Sequence, residues 1–289
     1  MMNIIHASNS HTKRVKKKKS RVNWHEAATC AIQIDLRDYK HMLDFQSEYI
    51  LGKNNYRIDL LVLRKLSKQS IPKKIANIFR TYNLFEIKGS GSSVGTDSYY
   101  KTVGYAGLLI NQTGAKNQYT SLDISLTFLS LHYPRKLIHH LQKERKLVVE
   151  KYAPGIYYIN KEIFDAQIIV TKELLPDENL YLRCLTDTLT ERELVNRLAN
   201  DCEQYQGQEL YTRYLDQIMK ANTKKKGETA MVCEGLLNYF GTSSEEIIER
   251  TKKEQEEFYL PKIENLTSQV AYLQDLLTQN NIAFNLDSK

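Results

Sequence analysis

Apolar positions first recur at helical spacing between Trp24 and about Tyr39. Ala28, Ala31, Ile32 and Asp35 fall there at i, i+3, i+4 and i+7 on one face. Asn23 precedes the run and is placed to cap it. Two strand-like runs follow, Met42–Leu51 and Tyr56–Lys65, parted by Gly52-Lys53-Asn54-Asn55, which predicts a hairpin. A polar stretch leads to a strand over Tyr82–Lys88, a glycine-rich loop over 89–95, and a helix from Asp97 to about Ile110. Beyond Gly114 the pattern predicts a strand near Leu122–Leu129 and a helix over Pro134–Lys146. Paired strands Leu147–Tyr152 and Ile156–Ile159 and a short strand Gln167–Thr171 complete this part.

After Pro176 the period changes. Helices are predicted over about Glu178–Leu185, Glu191–Asn200, Glu209–Lys220 and Glu228–Phe240. Pro261 opens a last helix. In it Ile263, Leu266, Val270, Leu273 and Leu277 step by 3, 4, 3 and 4, a heptad seam of about two repeats. Such a seam packs on the body of the protein or joins two copies into a homo-oligomer. The chain therefore divides into residues 1–21, an α/β domain over 22–175, and a helical region over 176–289.

Charge sharpens that division. The net charge is +7 over 289 residues. Residues 1–21 hold seven bases and no acid, which reads as a flexible basic arm. Residues 22–150 carry 18 bases against 11 acids, and residues 151–289 carry 16 against 23. The front of the chain is basic and the back acidic, so a nucleic-acid partner is expected at the front. Lys16, Lys17, Lys18 and Lys19 in the arm are candidates for phosphate attraction. No stretch approaches the roughly 18 apolar residues of a membrane span, so no membrane partner is expected. No apolar segment follows the basic start, so a cytoplasmic location is expected. Cys30, Cys184, Cys202 and Cys233 form no CxxC pair, which argues against zinc and against a dithiol redox centre. The loop Gly89-Ser-Gly-Ser-Ser-Val-Gly95 is spaced GxGxxxG with no Gly-Lys-Ser/Thr after it. A nucleotide-binding loop is therefore not the reading; a rim around a site is.

The chemistry centres on two apolar runs that contain charges. Asp59 sits in Ile58-Asp-Leu-Leu-Val-Leu63, and Glu86 and Lys88 sit in Leu84-Phe-Glu-Ile-Lys88. Runs apolar on both faces read as central strands covered on both sides. An ionised carboxylate there is expensive unless something pairs with it. Side chains alternate along a strand, so Glu86 and Lys88 share a face and Phe85 and Ile87 take the other. With the Asp59 strand alongside, two carboxylates and an ammonium converge. Hard oxygen ligands of this kind hold Mg²⁺ or Mn²⁺ for phosphodiester hydrolysis, and a lysine beside them orients water or offsets charge on phosphate. The plainer reading is structural, with Asp59 paired to Arg57, Arg64 or Lys88.

A strand hairpin bearing Asp, a strand bearing Glu-x-Lys and an Asp-capped helix together resemble the PD-(D/E)XK nuclease superfamily. Within it the chain is similar to a bacterial branch related to recombination-promoting nuclease and transposase-associated proteins. The residues that carry the likeness are Trp24-His25, Tyr56-Arg-Ile-Asp-Leu-Leu61, Phe85-Glu-Ile-Lys88, and Asp97 followed by Tyr100-Lys101 and Gly104-Tyr105-Ala106. Leu122-Asp-Ile-Ser125, Gly155-Ile-Tyr-Tyr158 and Gln167-Ile-Ile-Val170 continue it. The likeness spans roughly residues 24–171 and implies a restriction-endonuclease-like core, a mixed sheet flanked by helices.

By that resemblance Asp59 and Glu86 are metal ligands, with the Ile87 carbonyl a third, and Lys88 is the catalytic lysine. It also implies an acid on the first helix. Asp35 is expected in that role because it lies on the apolar face, whereas Glu26 lies on the other; Gln33 is the neutral alternative. Tyr100 and Lys101 are expected to contact phosphate. Ile58 stands where the motif's proline would be. The activity implied is a Mg²⁺- or Mn²⁺-dependent endonuclease acting on DNA, with RNA as the other substrate the same site chemistry allows. The alternative is a degenerate nuclease domain that binds nucleic acid or serves assembly.

Overall fold

The computed structural model describes residues 22–52, 56–64, 69–112, 119–222 and 263–272, with single positions 260, 274 and 279. Helix α1 (Trp24–Asp35) starts where the Asn23 side chain accepts the Glu26 N–H. The expected helix to Tyr39 stops at Asp35 and tightens into a 3₁₀ turn, Arg37–Met42. At three residues per turn Leu36, Tyr39 and Met42 fall on one side, and all three pack into the core.

Seven strands form one sheet: β1 (Leu43–Leu51), β2 (Tyr56–Arg64), β3 (Tyr82–Ile87), β4 (Ile124–Ser130), β5 (Val148–Ala153), β6 (Ile156–Asn160) and β7 (Asp165–Val170). Their spatial order is β1-β2-β3-β4-β7-β6-β5. The central β3–β4 and β4–β7 pairs are parallel, and the flanking pairs are antiparallel. Strand β4 is buried at every position, as its apolar run requires. The crossovers carry α2 (Thr96–Gln112), between β3 and β4, and α3 (Arg135–Lys143), between β4 and β5.

Each face of the sheet has its own core. On one face Leu61, Leu84, Leu126 and Ile168 meet Tyr99, Ala106 and Leu109 of α2 and Leu137, Ile138 and Leu141 of α3. On the other, Leu60, Val62, Phe85 and Ile87 meet α1. That second core runs on without a break into α4 (Leu180–Arg183), α5 (Arg192–Glu203) and α6 (Glu209–Asn222), through Tyr181, Leu182, Leu198, Tyr214 and Ile218. The described part of residues 22–222 is thus a sheet between two helical layers, with α4 and α6 packed on α1.

Residues 263–272 are helical, and Ile263, Leu266 and Val270 are exposed on them. The side chains of Leu273 and Leu277, the helix expected over Glu228–Phe240, and the arm with Lys16, Lys17, Lys18 and Lys19 lie outside the described residues. Among the described residues no helix is long and apolar enough to cross a membrane.

Candidate active site

The β2–β3 register pairs Leu60 with Phe85 and Leu61 with Leu84. Continued by one step, it sets Asp59 opposite Glu86. Alternation puts Asp59 on the face of Leu61 and Glu86 on the face of Leu84, the same face. Here β2 and β3 part, and the Asp59 Oδ2 accepts the Ile87 N–H at 2.7 Å. The site lies at the carboxyl end of β3, beside a parallel neighbour, where open α/β sheets leave room for ligands.

Glu86 is 2% exposed, and each of its two oxygens has a cation beside it, as a buried carboxylate requires. Lys88 Nζ lies 2.6 Å from Oε1, and Lys101 Nζ lies 2.6 Å from Oε2. Lys88 comes from β3's own end, two residues on, and its N–H extends the β3–β4 ladder to the Leu129 carbonyl. Lys101 comes from the second turn of α2, held in place by buried Tyr99 and Ala106. Its ammonium also lies 5.8 Å from the Tyr105 ring centre. Burial works against its charge, but the hydrogen bond and charge of Glu86, with the charge of Asp59, outweigh it and raise its pKa. Asp59 is raised as well, by burial first and by the Glu86 charge second. The Ile87 amide, His25 and Lys101 pull it back only in part.

His25 completes the cluster. Its Nε2 is 3.9 Å from Asp59 Oδ2. What brings it there is the close seating of Trp24 on Gly89, the residue after Lys88. A Cβ on Gly89 would stand 2.2 Å from the Trp24 ring. Trp24 and Gly89 are the signal in the sequence that ties the start of α1 to the end of β3, although nothing in their spacing announces it.

Asp35 is placed elsewhere. Ten residues separate it from His25, about 15 Å along a helix. Its Oδ1 and Oδ2 accept the Tyr181 and Leu182 N–H groups at 3.2 and 2.9 Å. Those amides open α4 and have no acceptor within it. Burial pushes the Asp35 carboxyl up to about 7, against the weaker opposite pull of the two amides, Lys73 and Arg37. The apolar face of α1 does point inward at Asp35, but into the helical layer and not toward β3. Glu26 is also engaged, by Arg213 at 2.9 Å and Gln217 at 3.2 Å. So neither acid of α1 joins Asp59 and Glu86; the α1 residue that does is His25. Tyr100 turns to α3, where its hydroxyl meets His140 Nε2 at 2.9 Å, and Glu144 holds His140 Nδ1 at 2.9 Å.

Among the described residues no group of three or more His, Cys, Asp and Glu side chains is arranged to hold a metal ion. The site offers two carboxylates. The two ammonium groups held on Glu86, with the Asp59 carboxyl raised by burial first and by the Glu86 charge second, mark a place that draws cations. Two hard carboxylates fit Mg²⁺ or Mn²⁺, because Mg²⁺ keeps several waters and is held by one or two carboxylates plus substrate phosphate.

No family model, no curated protein and no solved structure matches the chain.

Proposed function

We propose that the protein is a metal-dependent endonuclease of restriction-endonuclease-like fold that hydrolyses DNA phosphodiester bonds. The observation that carries this reading is the meeting of Asp59, Glu86 and Lys88 on one face at the carboxyl end of β3. Asp59 and Glu86 would hold Mg²⁺ or Mn²⁺, with the Ile87 carbonyl as the third ligand that the family resemblance implies. Once bound, such an ion polarises the phosphate and lowers the pKa of a coordinated water. The protein supplies the rest. Lys88, 2.6 Å from Glu86 Oε1, orients the attacking water or offsets charge on the phosphate. The Ile87 amide fixes one Asp59 oxygen, so the carboxylate does not reorganise when substrate arrives. Seven bases in residues 1–21 add non-specific attraction for the polyanion.

Plasmid DNA incubated with and without Mg²⁺ or Mn²⁺ tests this. Nicking is expected only with metal, and it is expected to vanish in Asp59→Ala and in Lys88→Ala. Nicking that survives both substitutions overturns the assignment. A labelled RNA of the same length, run in parallel, separates DNA from RNA as substrate.

One observation favours a second reading, a degenerate nuclease fold that binds nucleic acid or serves assembly. No acid of α1 reaches the site, and both Glu86 oxygens are already held by lysines. DNA binding without metal, and no cleavage with any divalent ion, would establish it.

A further inference from the structure

Glu86 is held from two sides by ammonium groups of different origin. Lys88 rides on the strand that carries Glu86, whereas Lys101 arrives from α2 and takes the other oxygen at the same 2.6 Å. Two carboxylates and two ammonium groups balance in charge. Phosphodiester hydrolysis with two ions needs carboxylates on both sides of the pair, with the ions roughly 3.5–4 Å apart. Among the described residues only Asp59, Glu86 and the imidazole of His25 stand here, and no group of three is arranged as ligands. The side facing α2 has a fixed positive charge instead. Lys101 sits on a 17-residue helix whose inner face is buried against β3 and β4, so its ammonium is carried by a rigid support. It is also half-buried, at 36% exposure, and held near a tyrosine ring.

Resting on the hydrolytic reading above, we propose that Lys101 is a catalytic residue that takes the place of a second divalent ion. The site then works with one metal, and the Lys101 ammonium meets a non-bridging phosphate oxygen. Lys101 forms no covalent bond and gives up no proton. The bond from water oxygen to phosphorus forms as the bond to the leaving ester oxygen breaks. The attacking water's proton goes to solvent, and solvent protonates the leaving oxygen. The ammonium offsets charge on the phosphate throughout, and a bare lysine does this without the ligands that a metal would need.

The test is a calorimetric titration of the metal-free full chain with Mn²⁺, without DNA, beside plasmid cleavage. Lys101→Gln keeps a side chain of similar reach without the charge, and Lys101→Arg keeps the charge; circular dichroism confirms that each is folded. The wild type is expected to bind one Mn²⁺ per chain. Lys101→Gln is expected to bind Mn²⁺ about tenfold more tightly, since a positive charge beside two carboxylates is gone. Its cleavage rate at saturating Mn²⁺ and DNA is expected to fall about 100-fold and to return with Lys101→Arg. Two Mn²⁺ per wild-type chain, an unchanged Mn²⁺ affinity in Lys101→Gln, or cleavage by that variant at the wild-type rate would each overturn the proposal. A wild type that cleaves nothing overturns the hydrolytic reading instead, and the Mn²⁺ titration still decides whether Lys101 excludes a second ion.

Discussion

Asp35 and Glu86 are both buried acids, 6% and 2% exposed, and their surroundings treat them differently. Glu86 is met by two lysine side chains that are themselves partly open to solvent. Asp35 is met by two backbone amides of α4, which cannot leave without unwinding the helix. A polar cavity of about 160 Å³ lies beside Asp35, but the cations on its wall are already engaged, Arg37 by Asp201, Arg197 by Asp177 and Lys73 by the Glu178 carbonyl. The first arrangement is neutralised by groups that a substrate can displace. The second is neutralised by the fold itself. A buried acid becomes a candidate for chemistry when its partners are exchangeable, and a structural plug when they are not.

The largest effect that would break this comparison is on activity. Asp59→Asn, which removes one charge with little change of shape, is expected to lower metal-dependent cleavage by about 100-fold or more while leaving the unfolding midpoint nearly unchanged. Asp35→Asn is expected to leave the cleavage rate of the folded protein at the wild-type level. Plasmid nicking and thermal unfolding on the same samples check both, and a loss of cleavage in folded Asp35→Asn would undo the distinction.

Stability against pH comes next. Because the Asp35 carboxyl is pushed up to about 7, the folded protein keeps a proton that the unfolded chain loses near the ordinary value of 3.8. The contribution of Asp35 to stability is therefore greatest below about pH 4, falls as pH rises to about 7, and levels above that. The full fall attributable to Asp35 is about 4 kcal/mol. Asp59, raised by burial and by Glu86, acts in the same direction. Urea unfolding at several pH values should show this slope in the wild type and a flatter one in Asp35→Asn.

Asp35→Ala at pH 5, where the native carboxyl is still protonated, leaves the Tyr181 and Leu182 amides buried without an acceptor. A loss of about 2–4 kcal/mol in urea unfolding is expected. Gly89→Ala is expected to destabilise by about 1–3 kcal/mol, because the new methyl displaces Trp24 and with it the start of α1. It should also reduce cleavage, because His25 follows Trp24 and stands beside Asp59. The smallest effect on the site is expected from deleting residues 1–21. Cleavage at saturating DNA should hold, while the slope of DNA affinity against log salt should flatten by up to about 6, from the loss of seven bases.

Much of the fold was legible because its signals are local. Turn residues between two strand-like runs predict the β1–β2 hairpin, and β2 forms over Tyr56–Arg64 within one residue of the expected span. The shared face of Glu86 and Lys88 follows from a period of two, which holds in any sheet. Two features were not legible. That Lys101 would reach Glu86 depends on how α2 crosses the sheet, since fifteen residues and a glycine-rich loop separate them. Asp35 follows the helical period correctly and still misses the site, because the period states which side of α1 is inward and not what lies there. What lies there is α4, 146 residues on in the chain at Tyr181, whose N–H groups donate to Asp35.

By itself the sequence determined the residue types and their local geometry: an α/β pattern turning helical after Pro176, a basic front and acidic back, and acids in runs too apolar to leave them unpaired. The tertiary structure decided the partners. It set His25 beside Asp59 by seating Trp24 on Gly89, gave Glu86 its second cation from α2, and closed α4 over Asp35. The physical reason lies in reach. Periodicity and capping act over a few residues, whereas the pairing of a buried charge depends on which distant backbone or side chain arrives within 3 Å of it, and only the packed fold specifies that.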